Sequence, residues 1–172
     1  MLDKLERFFD RVADYIGYIC SFLMIAMMLN IFYDVFMRYL FKSGSIAFQE
    51  LEWHLFSVII LLGTSYALKE DGHVRVDMLY TKFSEKNKAL VNIVGAFIFI
   101  TPLALLVATG SVGFVMEAIN SHEISGDPGG LTHRWILKAF IPASFWLLIF
   151  ITIGFVIKHF NLYRKAVEAE GK

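Results

Sequence analysis

Cysteine is nearly missing. Cys20 is the only one in 172 residues, which excludes an intrachain disulfide and a thiolate metal cluster. Cys20 sits in an apolar run, where a cysteine behaves as a small hydrophobe. Charge is also scarce: Asp, Glu, Lys and Arg make up 19% of the chain, against about 25% in a soluble domain. The net charge is zero, so no basic surface points to nucleic acid. No HExxH, GxSxG, P-loop or glycine-rich nucleotide fingerprint occurs. Neither an enzyme nor a bound cofactor or metal is expected. Internal repeats and low-complexity stretches are lacking too. The opening Met1-Leu-Asp-Lys-Leu-Glu-Arg7 does not have the layout of a cleavable signal peptide, and no A-x-A site follows the first apolar block. The first helix is therefore expected to be retained.

What is abundant is apolar surface. Apolar residues make up 57% of the chain and the mean hydropathy is +0.59, whereas a soluble domain runs at about 45–50% apolar. The excess falls in four blocks: Tyr15 to Met37, Ile46 to Leu68, Ala89 to Met116 and Trp135 to Ile157. Each meets the roughly 20 residues that cross a bilayer. The expected fold is an all-α integral membrane protein, one membrane domain over residues 1–172, with helices near 13–40, 46–68, 87–117 and 134–160. The third block is long enough to tilt or project. Pro102 and Pro142 fall inside blocks three and four and are expected to kink rather than end them, because neighbouring helices can satisfy the freed carbonyls.

Lys and Arg set the orientation. Lys4, Arg7 and Arg11, then Lys69, Arg75, Lys82, Lys86 and Lys88, then Lys158, Arg164, Lys165 and Lys172 fall on one side; Arg38, Lys42, Arg134 and Lys138 fall on the other. The positive-inside rule puts both termini and the middle loop in the cytoplasm. Residues 3–14 alternate charge with Leu5, Phe8, Phe9 and Val12 at helical spacing. They read either as an amphipathic helix at the interface or as a solvated extension of the first span. A short interfacial helix is expected after His73, within the 69–86 loop.

Polar groups inside hydrocarbon need partners. Asn30, Asp34 and Arg38 recur every four residues and form one stripe on the first helix. The second helix opens with Gln49, Glu50, Glu52 and His54. Asp34 can pair with Arg38, and Arg38 can reach Glu50 across the short loop. Three readings stay open: a buried structural network, anchoring at the headgroup level, or a direct part in moving a substrate, ion or proton. Ala13, Gly17 and Ser21, and separately Thr109 and Gly113, have the small-xxx-small spacing that lets membrane helices approach closely. Of the five histidines, His54, His73, His122, His133 and His159, only His54 lies in a span, near its end. That placement argues against the facing axial pair of a buried haem.

The segment Glu117 to Arg134 carries the turn cluster Gly126-Asp-Pro-Gly-Gly130, and Trp135 marks re-entry into the membrane. The loop is either a plain connector or a surface that meets a soluble partner.

In order and spacing, these pieces resemble the small membrane subunit of TRAP transporters, the tripartite ATP-independent periplasmic systems (the DctQ-like family). The shared pieces are Arg38-Tyr39 closing helix one and Glu50 with Glu52 opening helix two. They continue through Gly63-Thr-Ser-Tyr-Ala-Leu-Lys69, Gly72-His-Val-Arg-Val-Asp77, Glu123-Ile-Ser125, Asp127-Pro-Gly-Gly-Leu131, Arg134-Trp135 and Pro142. The resemblance covers nearly the whole chain. It implies a multi-pass protein of the bacterial inner membrane. Such systems import organic anions, often carboxylates or sialic acids, on a sodium gradient. A soluble periplasmic protein captures the solute and a large membrane subunit carries it by an elevator movement. The small subunit enlarges the static scaffold and offers part of the docking surface. Arg38, Glu50, Glu52 and His73 carry over as structural or interface positions, joined by the Asn30, Asp34 and His54 network. Glu123, Ser125, Asp127, Arg134 and Trp135 carry over as docking candidates. The expected partners are the large subunit, the solute-binding protein and membrane lipids. The charged tail, Glu168 to Lys172, suggests that the large subunit is a separate polypeptide. Two other classes stand beside this one: a membrane anchor of a redox enzyme, and a small self-sufficient homo-oligomeric channel or exporter lined by the Asn30–Asp34–Arg38 stripe.

Overall fold

The computed structural model describes residues 2–72 and 80–170. Among the described residues every regular element is helical, and four helices are long and apolar enough to cross a membrane. They are α1 (Leu2–Leu40), α2 (Ile46–Lys69), α3 (Glu85–Asn120) and α4 (Trp135–Glu170). The all-α, four-span architecture is the one that the apolar blocks imply.

α1 starts at Leu2, well before residue 13. Its first turns have no Gly or Pro, place Asp3 where the helix dipole favours an anion, and bury Phe9 and Ala13. At 1.5 Å per residue α1 is about 58 Å long, nearly twice the roughly 30 Å hydrocarbon core. α4 is almost as long and runs past residue 160. The N-terminal turns of α1 and the C-terminal half of α4 pack together. A Cβ added at Gly154 would lie 2.3 Å from the Phe9 Cβ, and Asn161 Nδ2 donates to Glu6 Oε2 at 2.7 Å. The interfacial helix expected after His73 falls largely on residues 73–79, outside the described residues.

α3 is composite. Its α-turns (Glu85–Gly95) pass into a π-turn (Ala96–Ile100), and α-helix resumes at Thr101. Pro102 explains the wide turn, because its ring clashes with the carbonyl four residues back and offers no N–H. A π-turn absorbs the mismatch. The Thr101 N–H and Oγ1, the latter at 2.9 Å, both donate to the Ala96 carbonyl. The expected kink at Pro102 is thus a π-turn, whereas α4 passes through Pro142 without a break.

α4 is the hub. It packs against α1, α2 and α3; α1 packs on α2, and α3 makes at most marginal contact with α1 or α2. A third of α4's apolar window is buried, against 17% for α1. The core joins Ala13, Ile16, Cys20, Leu68, Ala96, Ala104, Leu148, Ile151 and Phe155. Of the small-residue runs, Ala13 is buried and Gly17 abuts the Tyr66 ring. Thr109 and Gly113 are exposed; α3 instead buries Ala96, Ala104, Ala108, Val115 and Ala118.

Candidate functional site

The polar residues of α1 are partnered one by one. Asn30 Nδ2 donates to the Phe48 carbonyl at 2.8 Å, tying α1 to the first turn of α2. Arg38 pairs with Asp34 one turn back. The Asp34 residue is only 4% exposed, while the Arg38 side chain is 47% exposed and projects from the pair. The expected Arg38–Glu50 bridge does not form, because Arg38 is paired with Asp34 and the Glu50 carboxylate is taken up by another segment.

Glu50 instead clasps the loop that follows α3. Its carboxylate accepts from Ser125 Oγ and, at 2.6 Å, from the Leu131 N–H. Inside the loop, Ser125 N–H donates to the Leu131 carbonyl at 3.0 Å and Gly130 N–H to the Asp127 carbonyl at 3.0 Å. Ser125 Oγ also accepts from the Asp127 N–H at 3.1 Å. The Asp127–Gly130 turn uses Gly129 at φ +83°, a conformation that glycine adopts freely. Gly130 leaves room for the clasp: a Cβ there would stand 2.4 Å from Ser125 Oγ and 2.8 Å from Glu50 Oε2. His54 Nδ1 lies 2.6 Å from the Glu50 carbonyl. A carbonyl only accepts, so the proton sits on Nδ1.

α3 hands over to this loop through a Schellman closure. His122 takes φ 48°, its N–H donates to the Ile119 carbonyl at 3.1 Å, and the Glu123 N–H donates to the Ala118 carbonyl at 3.0 Å. The Glu123 carboxylate pairs with Lys138 of α4, whose Nζ also lies 3.8 Å from the centre of the Phe114 ring. Glu123 and Ser125 therefore spend their side chains on the scaffold, while Asp127 stays exposed. Trp135 lines a shallow cup of about 470 Å³ with Ile119, His122, Ile124, Thr132 and His133. Arg134 stands at the mouth of a larger slot between α2, α3 and α4. Among the described residues the Glu52 and Arg134 side chains take no hydrogen bond or ion pair; His73 lies outside them.

At the opposite end Lys69 Nζ donates to Asp14 at 2.7 Å and to Glu70 at 2.6 Å, joining α1 to the end of α2. Neither this lock nor the Glu6–Asn161 bond is legible in the sequence. Both unite residues far apart in the chain, and only the periodic polar positions on α1 hinted at them. Among the described residues no cluster of three metal-ligating side chains is present.

The fold defines a multi-pass membrane protein, with polar side chains of its helices bonded to one another and to one loop. The comparisons give the same class a family. Residues 27–162 match the family model of tripartite ATP-independent periplasmic transporters, DctQ component, and the chain belongs to that family. It is also 26% identical over 160 residues, 92% of this chain and 98% of the relative, to a TRAP transporter small permease protein of Haemophilus influenzae. The family is a transporter component and not an enzyme family. With four spans, that makes the chain a multi-pass protein of the bacterial inner membrane.

Proposed function

We propose that this chain is the static small subunit of a sodium-driven importer of organic anions such as carboxylates. It packs beside a large membrane subunit and presents the 121–134 loop to a periplasmic solute-binding protein. The observation that carries this reading is the Glu50 clasp. Here a carboxylate from α2 and the Glu123–Lys138 pair from α4 hold it in one shape, and a preformed loop loses less entropy on docking. Partner recognition then falls to what the clasp leaves outward, Asp127 and the cup around Trp135. Arg38 and Glu52, half-exposed at the α1–α2 end, suit contact with the large subunit. A channel lined by the α1 stripe fits less well, because Asn30 and Asp34 are committed to partners within the chain.

The test is purification of the tagged chain from its native membrane in mild detergent, with mass spectrometry of its companions and reconstitution of what is recovered. The expected result is a stoichiometric large polytopic protein, and sodium-dependent uptake only when that protein and the soluble binder are both present. Recovery of the chain alone or as a homo-oligomer, with solute or ion flux of its own, would overturn the reading in favour of a channel.

A further inference from the structure

We propose that the slot between α2, α3 and α4 beside the 121–134 loop binds a membrane glycerophospholipid, its phosphate held at Arg134 and an acyl chain laid along the apolar walls. The slot encloses about 610 Å³, within the roughly 300–1,000 Å³ of small-ligand sites. Phe56 and Ile60 of α2, Phe114 of α3, and Leu137 and Ile141 of α4 form its walls. All its ionic groups, Arg134, Lys138 and Glu123, sit at the loop end. From Arg134 to Ile141 the lining changes from charged to aliphatic over about 10 Å along the helix. A site for a small water-soluble solute would surround its ligand with polar groups. A gradient from charge to hydrocarbon along the membrane normal matches one class of molecule, an amphiphile standing in the leaflet.

The rim chemistry selects the phosphate. Glu123 and Lys138 pair with each other; the Arg134 guanidinium feels the charge of the Glu50 carboxylate but has no hydrogen-bonded acceptor among the described residues. A guanidinium fork matches two phosphate oxygens. Lys138 has three N–H donors, of which the bond to Glu123 takes one; the others can turn to the same phosphate. Basic pockets between membrane helices hold lipid headgroups in this way. The slot exists because α3 meets α4 but scarcely touches α2. A lipid would fill that gap, and it would brace the slot-facing side of the loop that Glu50 clasps from α2.

The test is native mass spectrometry of the full chain in mild detergent, titrated with phosphatidylglycerol, with diacylglycerol of the same chains, and with inorganic phosphate. The expected result is a saturable one-lipid adduct with phosphatidylglycerol. Diacylglycerol should bind at least tenfold more weakly, and millimolar phosphate should not displace the lipid. Arg134→Ala should weaken the adduct about tenfold, Arg134→Lys should restore part of it, and Ile60→Trp, which fills the slot, should abolish it while helical content is kept. If Ile60→Trp fails to fold, the two Arg134 variants decide the matter. Equal binding of phosphatidylglycerol and diacylglycerol, or unchanged binding in Arg134→Ala, would overturn the proposal. So would full displacement by phosphate, or loss of the lipid in the complex with the large subunit, since the slot would then belong to a protein side chain.

Discussion

Gly130 marks where two elements meet at a distance too short for any side chain. The clasp closes because nothing stands between its backbone, Ser125 Oγ and the Glu50 carboxylate. Gly130→Ala should therefore open the clasp as effectively as Glu50→Ala. Limited proteolysis in detergent should cut both variants faster than the native chain within residues 121–134, while Gly126→Ala, where a Cβ meets open space, should be cut at the native rate. Arg38 offers a second comparison. Arg38→Ala leaves the buried Asp34 carboxylate unpaired, a cost of about 1–3 kcal/mol, whereas exposed Lys42→Gln should change little. The double change Arg38→Ala with Asp34→Asn removes the stranded charge and should recover part of the loss in thermal unfolding. If Arg38→Ala unfolds at the native temperature, water or headgroups already satisfy Asp34. The sequence made the Asn30, Asp34 and Arg38 stripe legible because helical spacing exposes it. The Glu50 clasp was not legible. Its partners lie 75 and 81 residues away, one of them is a backbone N–H, and no local pattern encodes such a meeting.

The spans could be read from hydropathy because hydrocarbon forces the backbone to bond within itself. Which face of each span is buried could not. In lipid no hydrophobic force distinguishes one apolar face from another, and helix contact is decided by small side chains and local fit. The Thr109–Gly113 spacing on α3 looked like a contact face and points outward, whereas the buried side is a row of alanines. The two glycines Gly154 and Gly113 test this division. Gly154→Ala would drive a methyl group into Phe9 and part the N-terminal turns of α1 from α4, an overpacking cost of about 1–3 kcal/mol. Gly113→Ala meets open space and should gain up to about 1 kcal/mol in helix propensity. Thermal unfolding in one detergent should move in opposite directions for the two. A fall for both would mean that the outer face of α3 is already covered by another helix, as a second copy of the chain would do.

With α4 as hub, α3 on one side and the α1–α2 pair on the other, much apolar surface faces outward. Tyr18 is 72% exposed on α1 and Phe99 72% on α3. Such a shape suits a scaffold that borders both lipid and a larger neighbour, and its use depends on which end faces the periplasm. The residues near the terminal ends of the spans carry three times as many Lys and Arg as those near the loop end, and positive charge is retained on the cytoplasmic side. The chain carries its own means of checking this. Cys20 is its only cysteine and is buried, so new cysteines can be read with little background. A membrane-impermeant maleimide should label Asp127→Cys in intact spheroplasts and Glu168→Cys only after permeabilisation. The reverse pattern would place the clasped loop in the cytoplasm, where no periplasmic binding protein could reach it, and the docking role would fail. The lipid slot would survive that result, because it is defined by its position beside the loop and not by the compartment the loop faces.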